Sequence, residues 1–338
     1  MKLSYSQVQK YKQCPALYDF HYNQKLRSKY IGSPLFFGSA IDDAVGLLKI
    51  PLIKNPTDKQ KEMLQETPEE LFKRRMIFMN HNGDEINIKE YPFVNYSKSD
   101  IDTSLFTDGD LEYLNSTYFE EPLDAKDLQK YAEFIADQKR KEKVVEKNDF
   151  LAYNDICWKS LYRKGLMIIE AYKNEVIPEI LEIVSIQEKV CITNDDGDEI
   201  MGFIDDIRIY KDEPDKVYIN DDKTSSKAYK QEQLDESPQL TTYAFYKDTP
   251  YISYTVMEKS IRKKEPRVRI TIMRGTTSDE YKEEVLEEYE DTMLLINEGQ
   301  FPKDFNSGCK FYGAKCLYYE ICHNNQMTDY IVDMKKWY

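Results

Sequence analysis

Two acids and a lysine on successive apolar strands are the residues of this chain best placed to do chemistry. Asp205 stands inside GFIDDIRI, among Phe203, Ile204, Ile207 and Ile209. The next apolar run, KVYIN, ends in Asp221, Asp222, Lys223 and Thr224. A carboxylate in the middle of a strand that reads as buried is costly unless it is paired or holds a cation. Two carboxylates offer the oxygen ligands that a hard divalent cation prefers. Such a cation polarises a phosphoryl oxygen and lowers the pKa of a bound water. A lysine two residues after the second acid can orient that water or steady the charge that develops on phosphorus. Asp205, Asp221 and Lys223 therefore read as catalytic residues for phosphodiester hydrolysis.

These side chains must be positioned by a sheet. Leu181–Ile192 alternates as a strand, Asn194-Asp195-Asp196-Gly197 is a hairpin turn, and Asp198–Tyr210 returns with Asp205. A turn near Asp212–Asp215 leads to the strand that ends at Asp221, so the three strands form an antiparallel meander. Gln233–Tyr246 reads as a helix with Gln239 and Tyr243 one turn apart on one face. Strands at Tyr251–Lys259 and Arg267–Met273 follow, joined by the basic tip Arg262-Lys263-Lys264-Glu265-Pro266. Ser278 caps a long helix to Asn297, which Gly299 and Pro302 stop.

Upstream, Ser4 and Gln7 make a capping box for a helix over Tyr5–Gln13. Pro15 starts another, with Cys14 at its N-terminus, where the helix dipole favours a thiolate. Gly38–Lys49 reads as an amphipathic helix with Ile41, Val45 and Leu48 inward and Asp42 and Asp43 in its first turns. Two acids there compensate the dipole on a solvated face as readily as they bind metal. Lys59–Met79, Leu123–Val145 and Asp155–Asn174 are expected helices, with Tyr131, Phe134, Ile135, Leu161, Leu166 and Ile169 as core. Residues 82–122 read as an irregular insertion, a lid or specificity loop.

Acids outnumber bases, 61 to 47, so the net charge of −14 argues against a general basic coat for nucleic acid. Local basic stretches remain: Lys223, Lys227 and Lys230, the hairpin tip with Arg267 and Arg269, and Lys25, Arg27 and Lys29 interleaved with Tyr22 and Tyr30. Such residues contact phosphates and stack on bases. Met1-Lys2-Leu3-Ser4 leads straight into a polar helix, and no apolar run approaches the ~18 residues that span a membrane. A cytoplasmic protein without disulfides is expected. Cys157 and Cys191 sit in apolar segments and read as core. Cys309, Cys316 and Cys322 crowd near the C-terminus, which reads as a metal site or a coincidence.

Taken in order, several stretches resemble a RecB-type exonuclease of the PD-(D/E)XK nuclease superfamily. LSYSQVQKYKQCPALYDFHY resembles that family's opening helix with Cys-Pro. GSAIDDAV resembles its Gly-x-x-x-His helix, with Asp42 where histidine is commoner. GFIDDI, INDDKTS and QLTTY resemble its Gly-x-x-Asp strand, Asp-x-Lys-Thr strand and Gln-x-x-x-Tyr helix. The likeness covers about residues 1–50 and 180–325. It implies an α/β restriction-endonuclease-like core, with a mixed central sheet flanked by helices. That core would comprise 1–50 and 179–338, with a mainly helical insertion at 51–178.

The resemblance further implies Mg²⁺ or Mn²⁺ held by Asp205, Asp221, the carbonyl of Asp222 and, in place of histidine, Asp42. Gln239 and Tyr243 would support the site or the DNA. The substrate would be DNA, single-stranded or at ends, in recombination, repair or phage DNA metabolism, with a helicase or recombination protein as partner. Cys14, Cys309, Cys316 and Cys322 resemble the four-cysteine iron–sulfur staple of the AddB type, which holds a 4Fe-4S cluster. The Cys309-x6-Cys316 spacing departs from the commoner Cys-x2-Cys and leaves zinc, or no metal, open. Two alternatives are a DNA-end-binding recombination protein that does not cut and a structure-specific endonuclease.

Overall fold

The computed structural model describes residues 1–28, 30–77, 93–141, 143–194, 197–259, 268–305, 309–311, 314–327 and 331–333. Chain order begins with β1 (Lys2–Ser4), α1 (Tyr5–Gln13), α2 (Pro15–Tyr18), β2 (Leu26–Ser28), β3 (Tyr30–Gly32) and α3 (Ser33–Lys49). There follow α4 (Asp58–Met63), α5 (Pro68–Ile77), β4 (Phe93–Asn95), α6 (Asp108–Tyr118), α7 (Ala125–Arg140) and α8 (Lys147–Ala171). The sheet region holds β5 (Ile180–Thr193), β6 (Glu199–Tyr210), β7 (Glu213–Ser225), α9 (Gln231–Asp235), α10 (Pro238–Tyr246), β8 (Tyr251–Glu258) and β9 (Arg269–Thr276). The chain closes with α11 (Asp279–Asn297), β10 (Lys310–Phe311), β11 (Ala314–Lys315), α12 (Tyr319–Asn324) and β12 (Ile331–Asp333).

β-branched and aromatic residues alternate through β5, β6 and β7, and these strands form the expected antiparallel meander. β8 joins β7 in parallel and β9 joins β8 antiparallel, so the six-stranded sheet is mixed. One edge of β6 is paired with β5 throughout. The other edge changes partner: β1 pairs with Glu199–Met201 in parallel, and β7 pairs only from Asp206 onward. Residues 202–205 lie in the fork between those partners, and Asp205 is at its inner end.

Helices cover both faces. On one, Phe37, Ile41, Ala44 and Val45 of α3 share a buried core with Phe72 of α5, Leu128, Ala132 and Ile135 of α7, and Ile156, Leu161 and Ile168 of α8. Tyr210, Tyr218 and Ile183 of the sheet complete this core. Each fully buried aliphatic or aromatic side chain there contributes about 1.5–3 kcal/mol. On the other face, Leu234, Leu240, Tyr243 and Ala244 pack on Ile204, Ile207, Ile219 and Val256. α1 and α11 meet Leu3 and Ile200 through Val8, Tyr11, Val285 and Tyr289.

Several boundaries differ from the sequence reading. α3 begins at Ser33, with Pro34 in its first turn. Gly38 therefore lies inside it, where a Cβ would sit 3.1 Å from Thr224 Oγ1. The helix expected over Lys59–Met79 breaks into α4 and α5, since Pro68 can only open a helix. Gln233–Tyr246 likewise divides at Ser237, whose hydroxyl caps α10 ahead of Pro238. Within 82–122, residues 82–92 lie outside the described residues, but Thr107 and Asp110 form a capping box that opens α6. Phe134 is 59% exposed because the buried stripe of α7 is Leu128, Ala132, Ile135 and Ala136. Cys191 is exposed rather than core, since it falls on the outward side of the β5 alternation, next to buried Val190. The basic tip 262–266 and Arg267 lie outside the described residues.

Candidate active site

In β7 the side chains alternate, with Ile219, Asp221 and Lys223 toward α10, and Tyr218, Asn220 and Asp222 toward α3 and α8. β6 does the same with neighbouring acids: Asp205 faces the fork and Asp206 the opposite core. Asp205 is held by its Oδ2, which accepts a hydrogen bond from the backbone N–H of Asp222 at 3.0 Å. That N–H is available because the β6–β7 ladder stops at Asp206 and Asn220.

Asp221 is 4% exposed and its Oδ2 is ion-paired with Lys223 Nζ. Burial works against the Lys223 ammonium, but the Asp221 carboxylate more than offsets it, and the pKa of Lys223 stands well above the usual lysine value. Lys223 Nζ also donates to Gln239 Oε1 at 3.5 Å, and Gln239 Nε2 donates to Tyr243 Oη at 3.3 Å. The ring of Tyr254 lies 5.9 Å from the same ammonium. Gln239 and Tyr243 are thus brought to the site, with Tyr243 pressed against Gly202. A Cβ on Gly202 would lie 2.6 Å from the Tyr243 hydroxyl.

Burial, with Asp221 and Asp42 nearby, pushes the Asp205 carboxyl up to about 9. Asp42, on α3, is pushed up to about 6, first by burial and then by neighbouring acids, against the pull of Lys49. Gln187 Nε2 donates to Asp42 Oδ2 at 3.4 Å from a left-handed backbone at φ 52°. Both line a cavity of about 440 Å³ with Lys59 and Gln60.

The side chain of Asp222 is turned away from the fork into a buried ionic network that sequence reasoning missed. Lys49 Nζ lies 2.8 Å from Asp206 Oδ2 and 2.6 Å from Asp222 Oδ2. Arg208 donates to both oxygens of Asp206 at 2.5 Å, to Thr255 Oγ1 at 3.0 Å and to Tyr172 Oη at 3.2 Å. Asn220 Nδ2 donates to Asp222 Oδ1 at 2.9 Å. Burial opposes ionisation of Asp222, but Lys49 and Arg208 override it and hold its carboxyl down to about 2. Two cations and two anions make the network neutral, which is how charge is tolerated at full burial. The signal was present in the sequence: Asp206-x-Arg208 in an isoleucine strand, and Lys49 two helical turns beyond Asp42.

A family model described as the PD-(D/E)XK nuclease superfamily matches residues 112–323. The chain belongs to that superfamily. The matched span includes Asp205, Asp221, Asp222, Lys223, Gln239 and Tyr243, and leaves Cys14 and Asp42 outside. Among solved structures, one titled "Crystal structure of SSO0001" matches at 20% identity and a TM-score of 0.28, over 42% of this chain and 61% of that one. The chain therefore spans less than two thirds of that structure's length. No curated protein matches the sequence.

PD-(D/E)XK nucleases use divalent metal ions, and the donor set here suits one. Asp221 is a buried carboxylate beside the Lys223 ammonium. Asp205 is a carboxyl whose charge is suppressed first by burial and then by its acidic neighbours, and a cation would oppose both. Among the described residues, however, no three His, Cys, Asp or Glu side chains form a group that could hold a metal ion. Asp42 therefore perturbs the pair without completing such a group.

The four cysteines of this PD-(D/E)XK chain line one pocket, but they too do not form a group that could hold a metal ion among the described residues. Cys14, at the N-cap of α2, lines one pocket with Cys309, Cys316 and Cys322, alongside Phe20, Asp304 and Tyr318. Burial first, and then the neighbouring cysteines, pushes the thiols of Cys309 and Cys316 up. Cys309 Sγ lies 3.2 Å from His323 Nε2. Cys316 N–H donates to the Cys309 carbonyl at 3.0 Å. No helix of the described residues is long and apolar enough to cross a membrane.

Proposed function

We propose that this chain is a RecB-like, metal-dependent DNA exonuclease that hydrolyses phosphodiester bonds in DNA recombination, repair or phage DNA metabolism. The observation that carries the reading is the fork, where Asp205 and Asp221 stand on diverging strands with Lys223 ion-paired to the second. Asp205 and Asp221, with the backbone carbonyl of Asp222, are the ligands we assign to Mg²⁺ or Mn²⁺; Asp42 would join them only if its side chain closed on the ion. When bound, the ion supplies a polarised phosphoryl oxygen and a water of lowered pKa.

This chain's own residues do the rest. The N–H of Asp222 fixes the rotamer of Asp205. Lys223, kept cationic by Asp221, faces the developing negative charge on the phosphoryl oxygens as water adds to phosphorus and the P–O ester bond breaks. Gln239 and Tyr243 brace the ammonium from α10. The buried pair Lys49 and Arg208 anchors Asp222 from beneath, so the strand segment 221–223 is rigid where it meets substrate. We assign Cys14, Cys309, Cys316 and Cys322 to a 4Fe-4S staple that ties α2 to the C-terminal segment; the common pocket supports it. The substrate of this reading is single-stranded DNA or DNA ends in the cytoplasm, with a helicase or recombination protein as partner.

The test is Mn²⁺- or Mg²⁺-dependent degradation of end-labelled linear and circular single-stranded DNA by anaerobically purified protein. Loss of linear substrate only, reduced about 10²- to 10³-fold in Asp221→Ala and Lys223→Ala, is the expected result. Cutting of circles would replace the exonuclease by an endonuclease. Tight binding of ends without cleavage would replace the enzyme by a binding protein.

A further inference from the structure

Away from the fork, two cations face one another over a single tyrosine. Lys10 Nζ on α1 lies 5.6 Å from the centroid of the Tyr22 ring, and Arg27 Cζ on β2 lies 5.9 Å from it. They come from separate elements, brought together by the π-helical turn Asp19–Asn23. Arg27 is fixed by the backbone: its Nη1 donates to the carbonyls of His21 and Leu26. Tyr22 is fixed by Tyr18, whose ring lies 4.9 Å away and itself stacks on Phe301.

Among the described residues neither Lys10 nor Arg27 is ion-paired with a carboxylate, although the chain carries 61 acids to 47 bases. Burial and then the repulsion of Arg27 hold the Lys10 ammonium below its usual pKa. His21, between them, is pushed down to about 4 by burial and then by the same two cations. Like charges held together without a counterion cost free energy in the protein alone. An anion arriving between them would recover it, and an arginine–tyrosine pair is suited to a phosphate beside a nucleotide.

Lys10 shares α1 with Tyr5, which lies in the field of Lys223 and Asp221. The geometry points to Lys10, Arg27 and Tyr22 as a subsite for a backbone phosphate of a single DNA strand. This rests on the nuclease reading above and extends it: the strand is gripped by α1 and β2, not by a general basic surface.

The experiment is fluorescence anisotropy with an end-labelled single-stranded oligonucleotide in excess chelator, across a salt series. Relative to wild type, K10Q/R27Q should bind about tenfold more weakly or worse. Its slope of log affinity against log salt should be shallower by about 1.4, from about 0.7 for each phosphate contact on a single strand. K10R/R27K, which keeps both charges, should retain most of the affinity. Both double variants should melt cooperatively, so that affinity is compared between folded proteins.

Unchanged affinity in K10Q/R27Q, or equal weakness in K10R/R27K, would overturn the subsite. So would inorganic phosphate alone protecting wild type against heat as fully as the oligonucleotide at equal phosphate concentration, because the pair would then serve a free anion. With no metal present, a protein that binds but never cuts still tests this subsite, whereas the cleavage assay with Asp221→Ala tests the nuclease reading.

Discussion

The backbone N–H of Asp222 donates to Oδ2 of Asp205 across 3.0 Å, at the point where the ladder between their strands has just ended. One residue thereby serves both faces of the sheet. Its main chain orients the acid in the fork, and its side chain is clamped by Lys49 at 2.6 Å in the core behind. The site is consequently only as rigid as the buried charges beneath it.

Lys49→Met should therefore be costly. It leaves Asp206 and Asp222 fully buried with Arg208 as their remaining cation. Removing one partner of a buried ionic group costs about 3–5 kcal/mol. A lowered denaturant midpoint with an unchanged slope is expected, and nuclease activity should fall with it. A midpoint like that of wild type would show that the network contributes little.

The pH dependence of the metal-free protein follows from the fork. Asp205 is pushed up to about 9 and Asp42 to about 6, above the value near 3.9 of an unfolded aspartate. The folded state therefore binds their protons more tightly than the unfolded state. Their contribution is most favourable below about pH 4 and declines as pH rises, first through about 6 and then through about 9. Asp222, held down to about 2, has the opposite sign: its stabilisation is present above about pH 4 and is lost toward pH 2. In chelator, the urea midpoint should fall between about pH 5 and pH 8. Asp205→Asn should flatten that decline, and added Mg²⁺ should oppose it in wild type alone.

Gly202→Ala tests a close approach. The new Cβ would lie 2.6 Å from the Tyr243 hydroxyl and 2.7 Å from Cε1. Tyr243 would have to move, and with it Gln239 and the Lys223 ammonium. A loss of about 1–3 kcal/mol in stability and a drop in kcat are expected. Combined with Tyr243→Ala, the glycine substitution should cost little more, and a double-mutant cycle measures that coupling.

The cysteines separate into two classes. Cys316→Ser should abolish bound iron and visible absorbance in anaerobically purified protein and lower its melting temperature. Cys157→Ser should leave iron unchanged, because Cys157 is fully buried in the helical core, away from the pocket of the other four. Zinc without iron in wild type would favour the alternative metal.

By itself, the sequence determined the elements and the chemistry of the fork. Alternation through residues 181–221 dictates a meander, since a strand with one buried face must place every second residue inward. The capping boxes at Ser4 and the cap at Ser278 set their helix starts, because local hydrogen bonds decide helix ends. Asp205, Asp221 and Lys223 stood out because acids within apolar strands need a reason to be there. The partner exchange on the edge of β6 was decided only by tertiary structure. It depends on where β1, from the far end of the chain, stops pairing. Nor could periodicity reveal that Lys49 and Arg208 neutralise Asp206 and Asp222, that Tyr243 needs the missing side chain of Gly202, or that Lys10 meets Arg27. Those pairs are distant in sequence or belong to different elements, and only packing brings their charges and surfaces into range.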